Sequence, residues 1–237
     1  QSLNLTGSGA AVLDGLIVNN AGTINLAMTA NSFQLNNGTT LNNTGLGLLD
    51  LQNDTQITNF GTASTINNTG TIRKSAGTAS NINVFTLLNG GAVEQLVGGI
   101  NFSRGGQISS ATFIDNTGGI LALNNSTYDF LDGASLVDGT GNPADLNISS
   151  STINIEGGLT LGTLTMDSTL LNVDSEGTLS TLGDTLSATS INFIGTGSNI
   201  INGNVGNGTP AGILSIAAVQ SLNLTGSGAA VLDGLIV

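Results

Sequence analysis

VNNAGTI at residues 18–24 is answered by INNTGTI at 66–72, and both have the form apolar-x-Asn-x-Gly-x-apolar. LLNGGAV at 87–93, IDNTGGI at 114–120 and VDSEGTL at 173–179 follow the same plan, and looser copies begin at Leu41 (LNNTGLG), Val137 (VDGTGNP) and Phe193 (FIGTGSN). The anchors at 18, 41, 66, 87 and 114 recur at intervals of 23, 25, 21 and 27, with a mean of 24. A repeat of roughly 20 to 50 residues marks a solenoid or a related stack, because one such unit cannot bury its own apolar face and needs neighbours.

Between the motifs, apolar and polar residues alternate, as in TINIEGGLTLGTLTM at 152–166. That period of two belongs to strands with one face inward. Helical spacing is not sustained anywhere, and Gly or Asn interrupts the chain at short intervals throughout. The pattern predicts an all-β parallel β-solenoid. At about 3.3 Å per residue a coil of ~22 residues has a perimeter near 70 Å, which suits a flattened or triangular cross-section.

The recurrent glycines Gly22, Gly45, Gly70, Gly91, Gly118 and Gly177 are expected at corners, where the backbone takes φ > 0. Asn20, Asn43, Asn68, Asn89 and Asn116 stand two places before a glycine of this set. They are expected to line the inside of the corner, each amide bonding its equivalents in the coils above and below. Phe33, Phe60, Phe85, Phe113 and Phe130, spaced by 27, 25, 28 and 17, suggest interior aromatic stacking.

A second repeat encloses the first. QSLNLTGSGAAVLDGLIV at 1–18 returns unchanged at 220–237, at an offset of 219. The expected organisation is one solenoid unit of roughly nine or ten coils at 1–219, with 220–237 opening the next copy. Such a sequence reads as an excerpt from a longer array. With coils ~4.8 Å apart, one unit would extend on the order of 45 Å, and residue 219 + n would take the structural place of residue n.

Composition narrows the functions. The formal net charge is −12, with Arg73, Lys74 and Arg104 the only basic residues and no His, Cys or Trp. Nucleic-acid binding needs clustered Lys and Arg and is excluded. No run approaches the roughly 18 apolar residues of a membrane helix, so no transmembrane segment is expected. The 39% hydrophobic content argues against disorder, and zero Cys fits a bacterial surface or secreted protein stabilised by repetition. Negative charge spread over an elongated body would keep filaments apart.

With VNNAGTI, LNNTGLG and INNTGTI set among short alternating strands, residues 1–210 resemble the repeats of filamentous-haemagglutinin-like adhesins and other large bacterial surface β-solenoids. The resemblance implies a right-handed, three-faced β-helix, secretion to the cell exterior and a role in attachment or matrix. Irregular coil length and the identical long repeat are departures from that family.

Reactive constellations are few. Polysaccharide lyases of similar shape use Arg or Lys as base, but Arg73 and Lys74 are adjacent and would point to opposite faces of a strand, and Arg104 stands apart. Asp174 and Glu176 fall inside a corner motif and read as solvated turn carboxylates. DGTGNPAD at 138–145 has oxygen ligands at alternating positions but lacks the order of a calcium loop. Sequons such as Asn4, Asn37, Asn67, Asn101 and Asn147 are too few above chance to assign glycosylation, and Thr163-Leu164-Thr165 is too isolated for an ice-binding ladder. No catalytic residue, metal or cofactor is assigned. The expected function is a stiff segment of an extracellular filament or stalk whose partner is itself, continued end to end, with cell-surface or matrix contacts open. The alternative is the spacer of a secreted adhesin whose binding head lies elsewhere; a polysaccharide-acting enzyme ranks last.

Overall fold

The computed structural model describes residues 1–29, 32–115, 121–156, 158–173, 185–194, 199–202, 213–224 and 230–233. All regular structure among them is β, and no helix there is long and apolar enough to cross a membrane. The strands stack in parallel as a β-solenoid. Two compact units share the chain, Gln1–Gly106 with Ser110–Leu121, and Gln107–Ser109 with Ala122–Val237.

In chain order the first unit contains β1 (Ser2–Gly7), β2 (Ala11–Asp14), β3 (Ile17–Asn20), β4 (Thr23–Met28), β5 (Phe33–Asn36), β6 (Thr40–Asn43) and β7 (Leu48–Leu51). It continues with β8 (Ile57–Thr58), β9 (Thr65–Asn68), β10 (Thr71–Lys74), β11 (Ala79–Asn83), β12 (Phe85–Gln95) and β13 (Gly99–Phe102). These strands form three rows of parallel neighbours. One row is β3, β6, β9 and the first half of β12. A second is β1, β4, β7, β10 and the last half of β12. The third is β2, β5, β8, β11 and β13.

Register is strict although coil length is not. Along the second row the partners Ser2, Thr23, Leu48, Thr71 and Ala92 are unevenly spaced in the sequence, yet each lies directly over the next. Slipping a strand by one residue would turn its whole apolar set outward, so the rows hold their pairing and the turns absorb the difference. Inside, Ile24, Leu49, Ile72 and Val93 form one buried column, and Leu41 and Ile66 another. Each such side chain contributes roughly 1.5–3 kcal/mol of burial.

The second unit carries β16 (Thr127–Asp138), β17 (Leu146–Ser149), β18 (Thr152–Ile155), β19 (Gly158–Asp167), β20 (Leu170–Val173), β21 (Thr185–Ile194), β22 (Asn199–Asn202), β23 (Ile213–Leu224) and β24 (Ala230–Asp233). At the division between units lie β14 (Gly106–Asp115) and β15 (Leu121–Asn124). β16, β18, β20, β22 and β24 pair in one row. β17, β19, β21 and β23 pair through their last residues, and β19, β21 and β23 again through their first. Tyr128, Ile153 and Leu171 are a buried column in register, and Tyr128 satisfies its hydroxyl on Asn124 O at 3.1 Å.

The expected aromatic column is interrupted in the first unit. Phe33 is in register with Ile57, Ile57 with Ile82 and Ile82 with Phe102, so two isoleucines separate the rings. Phe60 is 57% exposed in a turn and Phe85 is half-buried, because neither occupies an inward strand position in its coil. Phe33, Phe113 and Phe130 are buried, in an interior that is otherwise mainly aliphatic.

The two copies of the eighteen-residue stretch agree locally. Residues 2–5 and 221–224 are strand, as are 11–14 and 230–233. Their surroundings differ. In the first unit AVLD pairs with β5 and precedes a left-handed corner at Gly15, whereas in the second it pairs with β22, in the row that follows the left-handed corner at Ser168. The two copies thus share their strand assignment and differ in the strands they pair with.

Candidate functional site

The chemistry of this chain is concentrated where one coil meets the next. Between the β3 row and the β4 row each coil of the first unit turns through its Asn-Gly motif. Asn20 Nδ2 donates to Asn43 Oδ1 at 2.8 Å and Asn43 Nδ2 to Asn68 Oδ1 at 2.7 Å, all three side chains being buried. The same amides donate to backbone of the next coil, Asn20 to Leu48 O at 3.1 Å and Asn43 to Thr71 O at 2.9 Å. Asn68 Nδ2 closes the column on Ala92 O at 3.3 Å. A carboxamide is suited to this because it offers donor and acceptor on opposite sides, so each member passes the pattern to its neighbour.

Beside the column runs a line of glycines. A Cβ on Gly70 would collide with the carbonyls of Thr44 and Gly47, and one on Gly47 with Asn20 O and Asn43 Oδ1. Those carbonyls are part of the ladder, since Thr71 N donates to Gly47 O at 2.8 Å and Ala92 N to Gly70 O at 2.7 Å. Gly22 and Gly91 meet similar obstruction from Gln1 O and from Gly70 O with Asn68 Nδ2. None of these corner glycines has positive φ. The expected left-handed corner is thus corrected: glycine is needed here for close approach of coils.

Two of the expected positions lie elsewhere. LNNTGLG carries two extra residues before its strand, so Gly47, not Gly45, takes the tight position; Gly45 is exposed and its nearest obstacle, Thr69 O, is 3.9 Å away. Asn89 is exposed, and Leu88 stands in register with Asn68. Four steps separate Leu88 from Ala92 where three separate Asn68 from Thr71, and this extra residue in β12, with Gly90 at φ 85°, turns Asn89 out of the column. Asn116, Gly118 and Gly177 lie outside the described residues, as do Asp174 and Glu176.

A second recurring polar corner, found in both units, gave no expectation from the sequence. After β5, β15, β17 and β19 the chain passes through a left-handed residue, Asn37, Asn125, Ser150 and Ser168, with φ of 51° to 56°. A buried hydroxyl follows, Thr39, Ser151 and Thr169 among them. Thr39 Oγ1 donates to Asn36 O at 2.7 Å and accepts Leu16 N at 3.2 Å; Ser151 Oγ donates to Ser149 O at 2.8 Å, and Thr169 Oγ1 to Asp167 O at 3.0 Å. The signal was present as Ser or Thr two residues before the first inward apolar residue of a strand, in TTL, STI and TLL.

The charged residues are occupied structurally. Arg73 and Lys74 point to opposite sides of β10. Arg73 Nε pairs with Glu94 Oε2 at 2.6 Å on the outer side. Lys74 points inward and is fully buried in the column of Leu26, Leu51 and Gln95. Its ammonium donates to Ala76 O at 2.5 Å and Asn53 O at 2.6 Å, and pairs with Asp54 Oδ1 at 3.3 Å. Burial lowers the Lys74 pKa, and Asp54 works against that fall. Asp54, half exposed, is held down to about 2 by the backbone N–H of Ala79 first, then by the hydroxyl and N–H of Thr78. Arg104 is exposed.

In the 138–145 segment, Asp138 Oδ1 accepts Thr140 Oγ1 and Thr140 N at 2.8 Å and Asn142 N at 2.9 Å. The Thr140 hydroxyl is the main reason its carboxyl lies below the usual range. Those bonds make it the organiser of its own turn. Among the described residues no three His, Cys, Asp or Glu are grouped to hold a metal. Comparison with protein families, with curated proteins and with solved structures gives no match.

Proposed function

We propose that the chain is a structural segment of an extracellular filament or stalk, a right-handed solenoid of nine or ten coils per long repeat that is continued by further copies of itself. The observation that carries this reading is the direction of the internal polar bonds. Asn20, Asn43 and Asn68 bond the coils next to them, and so do the corner carbonyls of Gly47 and Gly70. A body whose buried polar groups are used to hold neighbouring coils resists bending and extends by adding coils. The unchanged return of residues 1–18 at 220–237 supplies the continuation, and the charge of −12 supports lateral separation at the cell exterior.

Electron microscopy of native material tests the reading. Unbranched fibres with an axial repeat of about 45 Å, from coils ~4.8 Å apart, are the expected result. Compact isolated particles from the native source would overturn it.

A further inference from the structure

The corner that follows β15, β17 and β19 is built the same way three times. Two residues join the strands in each case, 125–126, 150–151 and 168–169, whereas three residues (37–39) follow β5 and six (59–64) follow β8. Equal turns put equivalent side chains in line. Thr127 is in register with Thr152 and Thr152 with Leu170, and the left-handed Asn125, Ser150 and Ser168 are exposed beside them. Residues 125–127, 150–152 and 168–170 together bound an open groove of about 510 Å³ within the second unit. The buried hydroxyls of Ser151 and Thr169 are spent on Ser149 O and Asp167 O, which fixes the turns and leaves the groove formed in advance.

The lining selects the chemistry of a ligand. No charged side chain belongs to it, and the side chains of Asn125, Thr127, Ser150 and Thr152 have no hydrogen-bond partner among the described residues. Half-buried Leu170 adds an apolar surface. Equivalent groups recur once per coil, ~4.8 Å apart. An extended β-linked glycan advances by nearly that distance per ring and offers hydroxyls at every step, whereas an extended peptide, at about 3.3 Å per residue, falls out of step with the coils. The net charge of −12 works against an anionic chain. We infer that this groove binds an uncharged, extended β-linked glycan, one ring per coil, with the open amide and hydroxyls of Asn125, Thr127, Ser150 and Thr152 on ring hydroxyls and Leu170 against the apolar face of a ring. Binding takes place on a single chain and does not depend on fibre formation.

The test is an NMR titration of the full, isotope-labelled chain with cellopentaose and, separately, with maltopentaose, whose α-linkage curls the chain of rings. Cellopentaose is expected to shift the amide signals of 125–127, 150–152 and 168–170 saturably, and maltopentaose to bind at least about fivefold more weakly, as the loss of one hydrogen bond would give. Ser150→Gly combined with Thr152→Val removes two open hydroxyls while easing the left-handed turn and keeping the β-branched shape. This double variant is expected to weaken cellopentaose by at least about fivefold, and Thr65→Val, a strand residue of the first unit, to leave it unchanged. No saturable shift at the groove, equal affinity for the two sugars, or full affinity in a double variant whose other signals are unaltered would overturn the assignment. The comparison of the two sugars on the unaltered chain decides even where the double variant fails to fold. None of these results would touch the fibre reading, which is decided on native filaments.

Discussion

Asn43→Ala is the substitution that probes the stacking of coils most directly. Asn43 is fully buried and makes three bonds through one carboxamide, to Asn20 on one side and to Asn68 and Thr71 on the other. After truncation Asn20 Nδ2 keeps Leu48 O, but Asn68 Oδ1 loses its donor inside the body. A stranded buried acceptor costs about 1–3 kcal/mol and the remaining lost bonds about 1 kcal/mol, so a loss of roughly 2–4 kcal/mol is expected. Because a solenoid opens coil by coil, the readout is local hydrogen exchange at Thr69 and Gly70, whose amides donate to Asn43 O. Faster exchange by about 30- to 1,000-fold corresponds to that energy. Asn42→Ala is the control, since Asn42 bonds Asn19 Oδ1 at 2.8 Å in the same manner but exposed, where water replaces the bond for within about 0.5 kcal/mol. Equal effects of the two substitutions would refute the idea that the buried column holds the coils together.

Gly70→Ala is expected to destabilise by about 1–3 kcal/mol, because its Cβ would press on backbone carbonyls that cannot move aside, whereas Gly45→Ala should be nearly neutral; thermal unfolding of the pair decides. Asp54 has a folded-state pKa of about 2 against an ordinary 3.8, so the stability it lends is complete above pH 3.8 and is lost as pH falls towards 2. NMR titration of its carboxyl should give that depressed midpoint, and Asp54→Asn should remove the corresponding acid sensitivity around Thr78 and Ala79. Lys74→Met keeps the volume but leaves Asn53 O and Ala76 O short of a donor, and a loss of about 1–3 kcal/mol in denaturant unfolding is expected. An unchanged midpoint would mean the ammonium's burial costs as much as its bonds return.

The all-β class and the stacking of short strands were legible in residues 18–24 and their echoes. Alternation with period two is a local property, and a unit of about 24 residues with one apolar face has few ways to bury it except against copies of itself. The separation of Arg73 from Lys74 to opposite sides follows from the same period. Other features depend on what lies one coil away, and because that distance along the chain changes from coil to coil, local pattern does not carry the information. Gly47 is the tight glycine because Thr44 to Gly47 insert two residues into that corner, and only the neighbouring carbonyl of Asn20 shows which glycine must lack a side chain. Asn89 leaves the column because β12 gains a residue relative to β9, a difference visible only in the register of Leu88 on Asn68. Lys74 is tolerated in an apolar column because two turns, one with Asn53 and Asp54 and one with Ala76, supply two carbonyls and a carboxylate around it. Sequence thus determined what each coil is made of, and tertiary structure decided which residue of a coil lies over which residue of the next, since register is an interaction between coils.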